Sequence, residues 1–314
     1  MTDTAVDYSV LATDSGHFTI AALDHRDALK VELDKLGDRT EAAAGDNAGT
    51  EADAGDDAVI EFKRDMLVAL GRLDERPSAV MLEPEFALPR LSASVPDGVG
   101  VTCALEAQGY FSDPAAGNRL MDGWSPARVT EVGADGAKLL VLYRHDRRAF
   151  TEAQERLVAE VVDGAAEAGV PILIEPVPTD VVDDADRRAV ILASAERLSP
   201  LGPMLLKLPY PGAGACADLT AACGDRPWAL LSWGVPYEEY AEQLVDAAQN
   251  GCSGFTVGRA LWREAVDPAS RARFNRTVLG PRFAELVSIA KTGSPWFAAG
   301  RDTKSQTTES ELDR

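Results

Sequence analysis

Lysine is scarce in this chain. Seven of the 31 Lys and Arg residues are lysines, and two of the seven, Lys138 and Lys207, stand inside apolar runs, GAKLLVLYR and GPMLLKLPYPG. A lysine at a strand end often snorkels to water. A buried one is made less basic by desolvation, and the neutral amine is a nucleophile for carbonyl carbon. Lys207 comes late in its run, just before Pro209, whereas Lys138 comes early, so the register favours Lys207. Carboxylates close other runs: Asp24 in LDHRD, then Glu83, Glu106, and Glu175 in LIEP. Acids in such places are costly unless paired or catalytic. One of them is expected to serve as a structural partner for arginine, and several together make a site. Ser232 ends its run in LLSWGV, and Gly258-Arg259 follow the last run in FTVGRALW. Loop N–H groups with an arginine fork suit a phosphate. A metal centre is not expected. His17, His25 and His145 lack ligand spacing, and Cys103, Cys216, Cys223 and Cys252 form no CxxC pair.

Positioning these groups requires elements that end at one rim. Eight apolar runs recur in order: 17–24, 78–83, 98–106, 137–143, 171–175, 204–208, 228–232 and 253–257. Runs that are apolar at nearly every position suit parallel strands buried on both faces. Between them lie stretches of helical periodicity. One is 151–168, with Thr151 as N-cap and Leu157, Val158, Val161 and Val162 on one face; another is 237–250, bracketed by Pro236 and Gly251. Eight βα repeats predict an α/β fold, a single (β/α)8 TIM barrel over 1–300 with its catalytic rim at the strand C-termini. Residues 40–57, rich in Ala, Gly and Asp, read as a flexible acidic insertion, and 301–314 as a polar, disordered C-terminal tail.

A formal net charge of −20 and a pI near 4.5 exclude nucleic acid and anionic membrane as general partners. No apolar stretch reaches membrane-spanning length and the first residues lack a signal-peptide pattern, so the cytoplasm is the expected location. The acidic, lysine-poor composition predicts a halophilic, salt-adapted protein whose melting temperature rises with KCl into the molar range.

With these residues in view, the sequence resembles the class I tagatose-1,6-bisphosphate aldolases and the related sulfofructose-phosphate aldolases. The likeness is carried by ALDHRD (22–27), MLEPEFALP (81–89), GAKLLVLY (136–143), LIEP (173–176), LLKLP (205–209), LSWGV (231–235) and SGFTVGRALW (253–262). The resemblance implies a TIM-barrel lyase of carbohydrate metabolism that needs no cofactor. It makes Lys207 the Schiff-base lysine and Glu175 the proton shuttle, with Asp24 and Lys138 in the same pocket. It places Ser232, Gly234, Gly258 and Arg259 at a phosphate and gives Arg26 an anionic group to hold. His25 stands where these enzymes usually have glutamine, and Trp233 is bulkier than expected between Ser232 and Gly234. The substrate implied is a phosphorylated ketose, cleaved to dihydroxyacetone phosphate and a three-carbon aldehyde, and the enzyme is expected to be a homo-oligomer. Rival readings are an aldolase for a keto-deoxy-phosphogluconate and a sugar-phosphate sensor without turnover.

Overall fold

Each of the eight apolar runs forms a strand in the computed structural model, which describes residues 7–41 and 51–298, with only the backbone described for 36–41 and 51–54. The strands are β1 Phe18–Ala22, β2 Ala79–Leu82, β3 Gly100–Ala104, β4 Gly136–Tyr143, β5 Ile172–Pro178, β6 Leu205–Leu208, β7 Trp228–Leu231 and β8 Gly254–Val257. All pair in parallel and in sequence order, and β8 pairs back to β1, so the sheet is a closed barrel. The helices are α1 Asp27–Glu41, α2 Glu51–Leu70, α3 Pro126–Val129, α4 Arg148–Ala168, α5 Asp184–Leu198, α6 Cys216–Cys223, α7 Tyr237–Gln249, α8 Arg259–Trp262, α9 Pro268–Thr277 and α10 Leu279–Ala290. No helix among the described residues is long and apolar enough to cross a membrane.

Strand residues alternate between two cores, because side chains of a strand point to opposite faces with a period of two. The outer core lies between strands and helices and takes Ala21, Leu139, Ile174, Leu206 and Leu208. The inner core takes Ile20, Met81, Leu173, Leu205 and Ala229, and is closed from below by Tyr8, Leu11 and Trp296. That alternation turns Lys138, Glu175 and Lys207 into the barrel. Leu173 is in register with Leu205, so one inward step further along sets Glu175 beside Lys207.

Two local expectations give way. Helix α4 starts at Arg148, one turn before Thr151. Thr151 is buried inside the helix, where its hydroxyl donates to the Arg144 carbonyl and caps nothing. The stretch 40–57 is not one loop: α1 runs to Glu41 and α2 begins at Glu51. Ala52, Ala54 and Ala58 are strong helix formers. Val59, Phe62, Met66 and Leu70, all buried, anchor the face that carries the helix back toward them. Residues 42–50 and the expected tail 301–314 lie outside the described residues. The four cysteines are buried and unpaired.

Candidate active site

At the C-terminal mouth of the barrel is a cavity of about 380 Å³, within the range of small-molecule sites. Asp24, His25, Arg26, Lys138, Glu175, Lys207, Ser232, Gly234, Gly258 and Arg259 all line it, so the structure gathers every residue singled out for the site. Glu106 and residues 108–112 of the loop after β3 join them.

Lys138 sits low on β4, level with Ala104 and Leu173. Glu106 and Glu175 stand two residues higher on the neighbouring chains, about 6.6 Å up at strand rise, which an extended lysine side chain spans. Its Nζ is 3.0 Å from Asp24 Oδ2, 2.8 Å from Glu106 Oε1 and 2.8 Å from Glu175 Oε2. The early position of Lys138 is therefore no obstacle. Burial alone would make this amine less basic, but Asp24, Glu106 and Glu175 outweigh it and push its pKa well up, so it stays an ammonium ion. Burial would likewise raise Asp24, yet Lys138 and Lys207 hold its carboxyl well below the usual range.

Lys207 Nζ lies 2.9 Å from the same Glu175 Oε2 and donates to Met81 Sδ at 3.5 Å. Glu175 Oε2 is thus at ion-pair distance from two amines while aligned for a hydrogen bond with neither. A buried carboxylate oxygen with an unused lone pair, touching a candidate nucleophile, is equipped to take and return a proton.

The opposite side, at β7 and β8, is built for an anion. Gly258 N–H donates to Ser232 Oγ at 3.3 Å. Arg259 Nε is buried without a partner among the described residues, and burial, then the neighbouring Arg263, lowers the Arg259 pKa. Trp233 and Gly234 take the left-handed region, at φ 47° and 74°, a strained conformation for tryptophan. A Cβ on Gly234 would sit 3.1 Å from Arg263 Nη2 and 3.2 Å from Arg259 Cζ. One on Gly258 would meet His25 Cε1 at 2.7 Å. Both glycines therefore let the backbone close around this corner. His25 packs edge-on against Trp262, and its pKa is pushed down to about 3 by burial, reinforced by Arg259, Lys207 and Lys63 against the pull of Asp24. It is a neutral imidazole at neutral pH.

Arg26 is held by its neighbours on the facing side of the cavity. Its side chain is 1% exposed. Nη2 donates to the Glu106 carbonyl at 2.8 Å and lies 3.6 Å from the Glu106 carboxylate. With the Gln108 amide turned so that its oxygen faces the guanidinium, that oxygen accepts from Nε at 3.1 Å and Nη2 at 2.7 Å. Nη1 donates to Met121 Sδ at 3.3 Å, so the guanidinium braces the loop after β3. The strand-end acid that partners arginine is therefore Glu106, whereas Glu83 is held by a lysine. Lys63 of α2 donates to it, and its other oxygen accepts the N–H groups of Glu85 at 2.7 Å and Phe86 at 3.0 Å. The sequence shows Glu106 only as a strand-end acid and gives no sign of Gln108, Tyr110 and Phe111. Glu106 carried a signal, since it shares the inward parity of Ala104; the loop residues carry no periodicity to read.

A family model described as "DeoC/LacD family aldolase" matches residues 45–264, a span that takes in the site from β2 to Arg259 and leaves out Asp24, His25 and Arg26. The tagatose 1,6-diphosphate aldolase 2 of Streptococcus pyogenes serotype M3 is 28% identical over 265 residues, covering 70% of this chain and 79% of its own. The tagatose 1,6-diphosphate aldolase 2 of Enterococcus faecalis is 27% identical over 293 residues, 82% of each. Among solved structures, an archaeal fructose 1,6-bisphosphate aldolase superposes with a TM-score of 0.61 at 15% identity, over 91% of this chain and 98% of that one. Another, with its catalytic lysine covalently bound to a carbinolamine intermediate, gives 0.59 at 15% identity, over 90% and 98%. At that identity the two structures speak for the barrel alone.

Proposed function

The chain belongs to the DeoC/LacD family of aldolases, and from that premise we propose that it cleaves a phosphorylated ketose through an imine on Lys207. The observation that carries this reading is Glu175 Oε2, buried between the Lys207 and Lys138 amines and hydrogen-bonded to neither. Lys207 Nζ attacks the ketose carbonyl carbon, and the carbinolamine loses water to give a protonated imine. Glu175 moves the protons these steps require. A base removes the proton of the C4 hydroxyl. The C3–C4 bonding electrons flow into the imine to form an enamine, and the aldehyde departs. The enamine then takes a proton at C3, and hydrolysis frees dihydroxyacetone phosphate and the Lys207 amine.

Lys138 does no bond-making here. As a fixed ammonium ion it lets Asp24, Glu106 and Glu175 approach one another and sets Glu175 against Lys207. Ser232, the Gly258 N–H and Arg259 hold the phosphate of the dihydroxyacetone half, and His25 offers that corner a neutral ring. The curated relatives are named for tagatose 1,6-diphosphate; that ketose, with fructose 1,6-bisphosphate and sulfofructose 1-phosphate, makes up the substrate panel. The test is release of dihydroxyacetone phosphate, coupled to its NADH-dependent reduction, with and without EDTA. Turnover that persists in EDTA is expected. Turnover lost in EDTA and restored by zinc would overturn the imine mechanism.

A further inference from the structure

The mouth of the barrel is chemically lopsided. On the β7–β8 side, Arg259 presents a buried Nε without a partner, next to Ser232 and the Gly258 N–H. In the closed strand order, β3 and β4 stand four places from β7 and β8, so the loop after β3 and the ends of β4 and β5 form the facing wall. That wall is apolar and aromatic. Leu140 and Val177, 6% and 7% exposed, form one cluster with Leu142, and Tyr110 packs on it. Phe111 stands at the rim, 67% exposed while still lining the cavity.

The cations nearest this wall are already neutralised. Lys138 is ringed by Asp24, Glu106 and Glu175. Arg26 is held by the Glu106 carbonyl and carboxylate and by Gln108. A phosphate or sulfonate here would shed water against Leu140, Val177 and Tyr110 and gain no charge partner, a costly exchange. Uncharged polar groups are at hand, however. With its oxygen facing Arg26, Gln108 keeps its Nε2 as a donor, and Tyr110 and Ser112 line the same region.

We infer that the aldehyde half of the substrate ends in an uncharged group, so that the ketose carries one phosphate, on the dihydroxyacetone half at Arg259. The far end is a short hydroxyl- or methyl-terminated chain resting on Leu140, Val177 and Tyr110. This rests on the reading of Lys207 as the imine former and of Arg259 as the phosphate site.

The experiment runs the reaction toward condensation with the wild-type enzyme, where aldehydes compete for one enamine. At saturating dihydroxyacetone phosphate, kcat/KM is measured for glyceraldehyde, lactaldehyde, glyceraldehyde 3-phosphate and 3-sulfolactaldehyde. At least one uncharged aldehyde should exceed both anionic ones by tenfold or more. An anionic aldehyde that matches the uncharged ones to within tenfold, or beats them, overturns the inference. Borohydride reduction with dihydroxyacetone phosphate alone separates the two layers. An adduct on Lys207 combined with a preference for an anionic aldehyde sinks the inference and leaves the aldolase reading standing. No adduct sinks both.

Discussion

Lys63 and Lys207 are both buried lysines held against a glutamate, Lys63 by Glu83 and Lys207 by Glu175. The first pair is sealed between α2 and the turn after β2, with both side chains 0% exposed. Glu83 has the Lys63 ammonium on one oxygen and two backbone N–H groups on the other, so it has little left to offer. The second pair faces the cavity, and its carboxylate oxygen is shared between two amines without a hydrogen bond to either. Burial and charge pairing are common to both. What differs is an unused lone pair and an open side. A saturated pair can only hold the fold together, whereas an unsaturated one at a cavity can exchange protons with a guest.

Substitutions in the two pairs test that contrast, and one at Arg259 tests the opposite corner of the cavity. Glu175→Gln keeps the shape and removes the base, so kcat should fall by about 10²–10⁴-fold, the usual contribution of a positioned acid–base group. Steady-state kinetics with a ketose phosphate that the enzyme cleaves would show it, and a kcat within threefold of wild type would break the contrast. Lys63→Met should do the reverse. Leaving Glu83 buried without its cation should destabilise the fold by about 3–5 kcal/mol, read from urea unfolding, while kcat per folded molecule stays unchanged. Adding Glu83→Gln should restore part of the lost stability. If Lys63→Met instead lowers kcat without lowering stability, the sealed pair is not merely structural. The smallest effect belongs to Arg259→Ala, which removes one charge-assisted contact worth about 1.5–3 kcal/mol. This corresponds to roughly a tenfold to hundredfold loss of kcat/KM for every phosphorylated ketose. Unchanged kinetics would mean that the β7–β8 corner is not the phosphate site.

The barrel was readable because parallel strands are buried on both faces and leave unbroken apolar runs. Lys207 and Glu175 were readable for the same reason, since a charge inside such a run stands out. Lys138 stands out in its run in the same way, and the reach of its side chain from low on β4 brings it to the same carboxylates. Glu83 shares the inward parity of Met81, but the turn that follows Leu82 carries its carboxylate to α2. Lys63 lies in an amphipathic helix, where a lysine reads as surface. The bracing of Arg26 by Gln108, and the wall made by Tyr110 and Phe111, depend on a loop whose path no periodicity specifies. The extent of α2 was hidden because an Ala/Asp/Gly-rich stretch without core residues looks like a loop until the buried face downstream is taken into account.

The most direct test of the central claim is to locate the covalent bond. Wild-type protein incubated with dihydroxyacetone phosphate and borohydride, then digested and mapped by mass spectrometry, should carry the reduced adduct on the peptide that contains Lys207. Lys207→Ala should carry none and should not turn over. An adduct on Lys138 in the wild-type protein, or turnover retained by Lys207→Ala, would contradict the account.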